Sequence, residues 1–195
     1  PTSTATSTST PTASATPTAT PTRSSTPTAS VTPTRTQTPT PTHTPTGPCS
    51  SLVANGGFEY DTAWTLQGKA YYTTARAFAG ARSVRLGLEW YEPNTAGWAS
   101  AQQWVTLPSS GSSARLRFWY YPLSDDPNDS QYCWLMDPYG RVLAEPLRLT
   151  WPASNGQAWA HVDYDLMGLL GGGFYLRFEV YNNGYGGITT LYVDE

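Results

Sequence analysis

The sequence predicts an all-β fold, a sandwich of two sheets, and three observations carry that expectation. Short runs rich in aromatic and β-branched residues recur between clusters of Gly, Pro, Asn and Asp. No window sustains a helical period with caps. Where the runs are long enough to show a period, apolar and polar residues alternate at every second position, as on a strand with one buried face.

All three signals begin near residue 50. Residues 1 to 48 hold no aromatic and no acidic residue, and Arg23 and Arg35 are their fixed charges. Such a segment has too little apolar surface to offset the entropy of ordering, so a disordered Thr/Pro/Ser-rich linker is expected there. Pro beside Thr in "PTATPT", "STPTAS" and "TPTPTHTPT" favours extended, polyproline-like conformations and a semi-rigid spacer. Dense Thr and Ser beside Pro is also the composition of O-glycosylated stalks, and composition does not separate the sugar-bearing form from the bare one. A stalk of this kind points to an extracellular or cell-surface protein.

From Cys49 to Glu195 roughly 150 residues remain, enough for one domain that buries about two-thirds of its unfolded surface. Of the eleven Lys and Arg residues two precede Cys49, while all fourteen Asp and Glu follow it, so this part carries a net charge of about −5. The basic footprint of a nucleic-acid partner is lacking. No run of about eighteen apolar residues marks a membrane span, and residue 1 already falls within the linker. Neither a span nor a signal peptide is visible, and the chain reads as a fragment of a longer protein.

The expected strands follow in order. Ser51 to Ala54 runs into the turn "NGG". Ala70 to Ala75 and Arg82 to Leu88 flank "FAGA". Trp98 to Leu107 ends at "PSSGSS", and Ala114 to Tyr121 leads toward "DDPNDS". Gln131 to Asp137 and Arg141 to Ala144 flank "DPYG". Trp159 to Leu166 lies between "SNGQ" and "GGG", while Phe174 to Asn182 and Ile188 to Asp194 flank "NNGYGG". These turns supply residues that tolerate positive φ or initiate reversals, and the spacing suits a sandwich.

Alternation assigns faces. In "ARLRFWYY" Ala114, Leu116, Phe118 and Tyr120 share the core side, leaving Arg115, Arg117, Trp119 and Tyr121 opposite. In "FYLRFEVY" the core set is Phe174, Leu176, Phe178 and Val180, leaving Tyr175, Arg177, Glu179 and Tyr181. An ordinary solvated face would carry Lys, Thr and Glu, yet the chain has a single lysine, Lys69.

Catalytic patterns are missing. His43 falls in the linker and His161 lies alone on a strand, where a satisfied polar residue is the usual role. There is no Gly-x-Ser-x-Gly elbow, Cys/His constellation, zinc spacing or phosphate loop. The acid cluster "SDDPNDS" reads as a solvated loop because of its Pro and Asn, and nothing sets a pair of carboxylates across a cleft as glycoside hydrolysis requires. The expectation is therefore a module that is not an enzyme. Two cysteines are too few to fix the redox compartment. Cys49 and Cys133 could bridge, or Cys133, inside "QYCWLMD", could be a buried free thiol.

The order of signals, "NGGFE", "AGARSVRLG", "QQWVTLP", "ARLRFWYYPLS", "DPYGRVL", "WAHVDYDL", "FYLRFEVYNNG" and "LYVDE", resembles the galactose-binding-like jelly rolls of extracellular carbohydrate-binding modules, especially those repeated behind Pro/Thr stalks in bacterial surface proteins. The resemblance spans nearly all of residues 50 to 195. It implies a final strand that continues past "VDE", so that the domain, 49 to 195, is truncated within its last strand. A cysteine often found just beyond that point would be another partner for Cys49. The resemblance also implies a structural calcium, held by Glu59 of the first turn and Asp194 of the last strand, with carbonyls from Gly57 and from the "FAGARS" turn near Arg82. A hard cation takes such oxygens, and Gly-Gly lets carbonyls turn toward it. Some relatives add a carboxylate in that second turn; this sequence has none between Phe78 and Ser83.

The function expected on this basis is binding of a polysaccharide or glycan. Sugars present apolar faces that stack on aromatic rings and hydroxyls that pair with Arg, Glu and Asn. The expected surface is a single non-core face with Trp119, Tyr121, Tyr175, Arg177 and Tyr181, joined by Tyr132 and Trp134 if Cys133 and Leu135 point to the core. The alternatives are a structural or adhesive module that binds a protein partner through the same aromatics, and an accessory domain of a secreted hydrolase. An open groove would favour the glycan; a covered face would favour the alternative.

Overall fold

The computed structural model describes residues 50 to 195. The linker, its glycosylation and Cys49 lie outside the described residues. Ten strands form: β1 (Thr65–Gln67), β2 (Ala70–Thr73), β3 (Ser83–Gly87), β4 (Gly97–Thr106), β5 (Arg115–Ser124), β6 (Ser130–Met136), β7 (Val142–Leu149), β8 (Ala160–Asp165), β9 (Gly173–Asn182) and β10 (Thr189–Asp194). They make two antiparallel sheets of five, ordered β1-β4-β9-β6-β7 and β2-β3-β10-β5-β8, packed face to face as a jelly-roll sandwich. No helix among the described residues is long and apolar enough to cross a membrane.

The alternating residues meet between the sheets. Phe174, Leu176, Phe178 and Val180 of β9 and Cys133 and Leu135 of β6 face Val84, Leu86, Phe118, Leu191 and Val193 of the second sheet, all buried. Each such side chain contributes about 1.5–3 kcal/mol relative to exposure. Phe118 meets Phe178 edge-on across the sandwich at 4.9 Å between ring centroids. Burial also raises the Cys133 thiol well above its ordinary pKa, so this free thiol is an inert core residue.

Two local expectations are corrected. Ser51 to Ala54 is not a strand: the amide of Ala54 bonds the Gln103 side chain instead, its N–H donating to Oε1 at 2.8 Å while Nε2 donates to Ala54 O at 2.9 Å. A side chain has taken the place of a ladder partner. The seventh strand runs through Pro146 to Leu149, well past Ala144, because β7 is an edge strand where a missing N–H costs no ladder bond. The three-residue β1 has no counterpart among the expected strands.

Candidate functional site

The outward side chains of the first sheet are placed by register. Trp98 lies opposite Tyr181, Ser100 opposite Glu179, Gln102 opposite Arg177 and Trp104 opposite Tyr175 on the β4–β9 ladder. On the other side of β9, Tyr132 lies opposite Glu179 and Trp134 opposite Arg177. The rings associate in three pairs: Trp98–Tyr181 at 4.6 Å, Trp104–Tyr175 at 5.0 Å edge-on, and Tyr132–Trp134 stacked at 4.6 Å. Aromatic pairs thus bound three sides of a polar centre.

That centre is Arg177, Glu179 and Gln102. Arg177 ion-pairs with Glu179 and donates from Nη1 to Gln102 Oε1 at 3.2 Å. Glu179 is only 4% exposed, and burial raises its carboxyl above the usual glutamate range against the opposing pull of Arg177. Trp98 and Trp104 are 49% and 43% exposed. Indole edges are held in place: Trp134 Nε1 donates to Glu145 Oε2, and Trp104 Nε1 to Thr106 Oγ1, each at 3.1 Å. The arrangement offers rings to apolar ligand faces and a fixed donor–acceptor pair between them.

The expected single aromatic face is in fact two. Trp119 and Tyr121 belong to β5, in the second sheet, whereas Tyr132, Trp134, Tyr175, Arg177 and Tyr181 belong to the first, so they lie on opposite outer faces. The segment 74–82 covers the β5 pair. Phe78 stacks on Trp119 at 3.9 Å with planes 13° apart. The guanidinium of Arg76 sits 4.4 Å over Tyr121 and 5.6 Å from the Tyr192 ring, and Trp159 closes the side at 5.8 Å from Phe78. Beyond them Arg85 pairs with Glu92 at 3.0 Å and Glu89 at 3.6 Å, and Tyr192 donates its hydroxyl to Glu89.

The residues expected to hold calcium anchor this same covering segment. Ala81 and Arg82 N–H groups donate to Glu59 Oε1 at 2.8 and 3.1 Å; Phe78 and Ala79 N–H groups donate to Asp194 Oδ2 at 2.7 and 3.0 Å. Arg82 thus brings an N–H, and a guanidinium bonded to Glu59 O and Asp61, where a carbonyl was expected. Gly80, at φ +60°, passes so close that a Cβ there would lie 2.1 Å from Glu59 Oε1. Gly57 borders Asp194, a Cβ on it falling 3.9 Å from Oδ1. Asp194 is fully buried, burial raises its carboxyl, and no Lys or Arg among the described residues pairs with it. Asp194 Oδ1 also accepts from the Glu195 N–H at 2.9 Å, so three backbone N–H groups face this carboxylate, while Glu59 Oε2 is left without a hydrogen bond; no group of three or more Asp, Glu, His or Cys that could hold a metal occurs among the described residues.

The acidic "SDDPNDS" loop is not simply solvated. Asp125 is exposed, but Asp126 and Asp129 are 3% and 6% exposed. Sequence reading also missed Trp98, Gln102 and Trp104 as site residues, although their even spacing along "WASAQQW" carried the same period-two signal used elsewhere.

No family model matches the chain, and no curated protein matches it. Solved structures do. The chain resembles the carbohydrate-binding module TmCBM61, solved with β-1,4-galactotriose, with a TM-score of 0.55 at 16% identity over 75% of this chain and 95% of that one. It also resembles a family 22 carbohydrate-binding module from Xyn10B of Clostridium thermocellum (TM-score 0.45, 18% identity, 73% and 92% of the two chains). A third is a cleaved adhesin domain of Lys-gingipain from Porphyromonas gingivalis (0.45, 14%, 71% and 92%). The likeness to TmCBM61 shows a shared β-sandwich fold.

Proposed function

We propose that the outer face of the β1-β4-β9-β6-β7 sheet binds a carbohydrate chain, in a non-catalytic module that works outside the cell. The observation that carries this reading is the contrast between the faces: among the described residues the ring pairs around Arg177 and Glu179 stack only on one another, with Trp98 and Trp104 close to half exposed, while on the other sheet Phe78 and Arg76 of segment 74–82 lie on Trp119 and Tyr121. The ligand residues are then Tyr132, Trp134, Tyr175, Arg177 and Tyr181, with Trp98, Trp104, Gln102 and Glu179 added. Rings take the apolar faces of sugar units; Arg177 donates to hydroxyls. With each stacked ring worth on the order of 1 kcal/mol beyond its buried area, affinities in the micromolar to millimolar range follow.

The test is a glycan array probed with the full chain, β-1,4-galactotriose included. Binding lost in Trp134→Ala and kept in Trp119→Ala supports the face. A protein partner and no glycan would instead favour the adhesive reading. Glu59 and Asp194, with the Gly57 and Arg82 backbone, are proposed to hold a structural calcium that fastens the covering segment to the chain ends. Added calcium should then raise the melting temperature by linkage, and Glu59→Ala should remove that gain. An unchanged melting curve in saturating calcium and in chelator would dispose of this site.

A further inference from the structure

We propose that Asp126 and Asp129 hold a second hard cation, calcium by the chemistry of its ligands, which ties the β5–β6 loop to the β9–β10 loop. Both carboxylates reach one residue of the second loop. Asn183 donates its backbone N–H to Asp129 Oδ1 at 2.8 Å and its Nδ2 to Asp126 Oδ2 at 3.2 Å. Two buried carboxylates are therefore held by a single residue, one through its backbone and one through its side chain, and none of the ion pairs among the described residues involves either of them. Like charges so placed out of water need either a cation or a proton.

The hydrogen bonding favours the cation. Asp126 is well served: Oδ1 accepts from the Asn128 N–H at 2.7 Å and from Asn128 Nδ2 at 3.1 Å. Asp129 is not. Its Oδ2 is fully buried and has no hydrogen-bond partner. The Thr189 hydroxyl lies close to this carboxyl, and a coordinated ion would satisfy the Oδ2 that is left without a hydrogen-bond partner.

The backbone is shaped around this pair as well. Gly186 stands at φ +63°, and a Cβ on it would lie 2.5 Å from Asp126 Oδ2, so the β9–β10 loop approaches the carboxylate as closely as only glycine permits. From the other side Asn94 Nδ2 donates to Gly187 O at 2.6 Å, holding that loop against the segment after β3. Carboxylate oxygens on two irregular loops suit calcium better than magnesium, which requires near-octahedral geometry.

Calorimetric titration of calcium into the full chain, first freed of metal with a chelator, tests the site. The expected result is a binding event that Asp129→Asn and Asp126→Asn each weaken at least tenfold and that Glu59→Gln leaves in place, so the loop site and the one at Glu59 and Asp194 fail or stand separately. Asp129→Asn removes an uncompensated charge at nearly constant shape, so in chelator it should melt no lower than the parent chain. Isotherms of both Asp variants that overlay the parent's would overturn the proposal, as would the absence of calcium binding. Should either variant fail to fold, crystals of the parent chain grown with calcium decide: anomalous density beside Asp129 Oδ2 is expected, and its absence there refutes the site.

Discussion

The two outer faces of the sandwich carry similar residues and have opposite fates. Each presents aromatic side chains and arginines among the outward residues of its inner strands. On the β2-β3-β10-β5-β8 sheet those side chains are taken by partners from the connecting segments: Phe78 lies on Trp119, Arg76 on Tyr121, and Glu89 and Glu92 neutralise Arg85. On the other sheet the rings, among the described residues, stack on one another, and Trp98 and Trp104 remain close to half exposed. The difference teaches that an aromatic stripe does not identify a binding face; the presence or absence of a covering segment does. Here that segment is fixed by two carboxylates, Glu59 and Asp194, at opposite ends of the domain.

The comparison breaks most readily at Trp119. Its replacement by alanine is expected to cost about 2–3 kcal/mol of stability, from lost burial and the lost stack on Phe78, with glycan binding by the folded fraction intact. Chemical denaturation measures the first and titration the second. Loss of binding without loss of stability would reverse the assignment of the two faces.

Gly80→Ala attacks the cover itself. An alanine at φ +60° and in collision with Glu59 Oε1 should lower stability by about 1–2 kcal/mol and speed protease cleavage within 74–82. Unaltered cleavage would mean that Glu59 does not fix the segment.

The open face should respond in the opposite way. Trp134→Ala should weaken glycan binding about tenfold, equivalent to about 1.4 kcal/mol, while changing stability by less than about 1 kcal/mol because the ring packs on Tyr132 at the surface and not in the core. A folding defect as large as that of Trp119→Ala would erase the contrast between the faces.

The smallest effect is one of pH. Burial raises the Glu179 carboxyl, so as pH falls it protonates before an ordinary glutamate does and releases Arg177. Glycan binding should weaken on acidification from a higher pH than an ordinary carboxylate would impose, and Glu179→Gln should flatten that slope. A slope identical in the variant would assign it to another group.

Much of this was legible in the chain, for definable reasons. Period-two alternation gave the core side of β5 and β9 correctly because it depends on neighbours along one strand. Whether Trp119 and Tyr175 share a sheet depends on pairings far apart in sequence, β5 with β10 and β4 with β9, and no local pattern encodes them. The cover by Phe78 was hidden for the same reason. The strand expected to end at Ala144 runs on through Pro146, because proline is excluded from a central strand but tolerated on an edge. The acids of "SDDPNDS" look solvated by composition, and only their contacts with Asn183, more than fifty residues away, bury two of them.

The central claim is that the bare sheet face, and not the covered one, meets the ligand. Indole N–H resonances in a heteronuclear NMR titration of the full chain with the best-bound array glycan test it most directly, since tryptophans mark both faces. The account predicts that the signals of Trp98, Trp104 and Trp134 shift with saturation while those of Trp119 and Trp159 stay fixed. Shifts confined to Trp119 and Trp159 would contradict it.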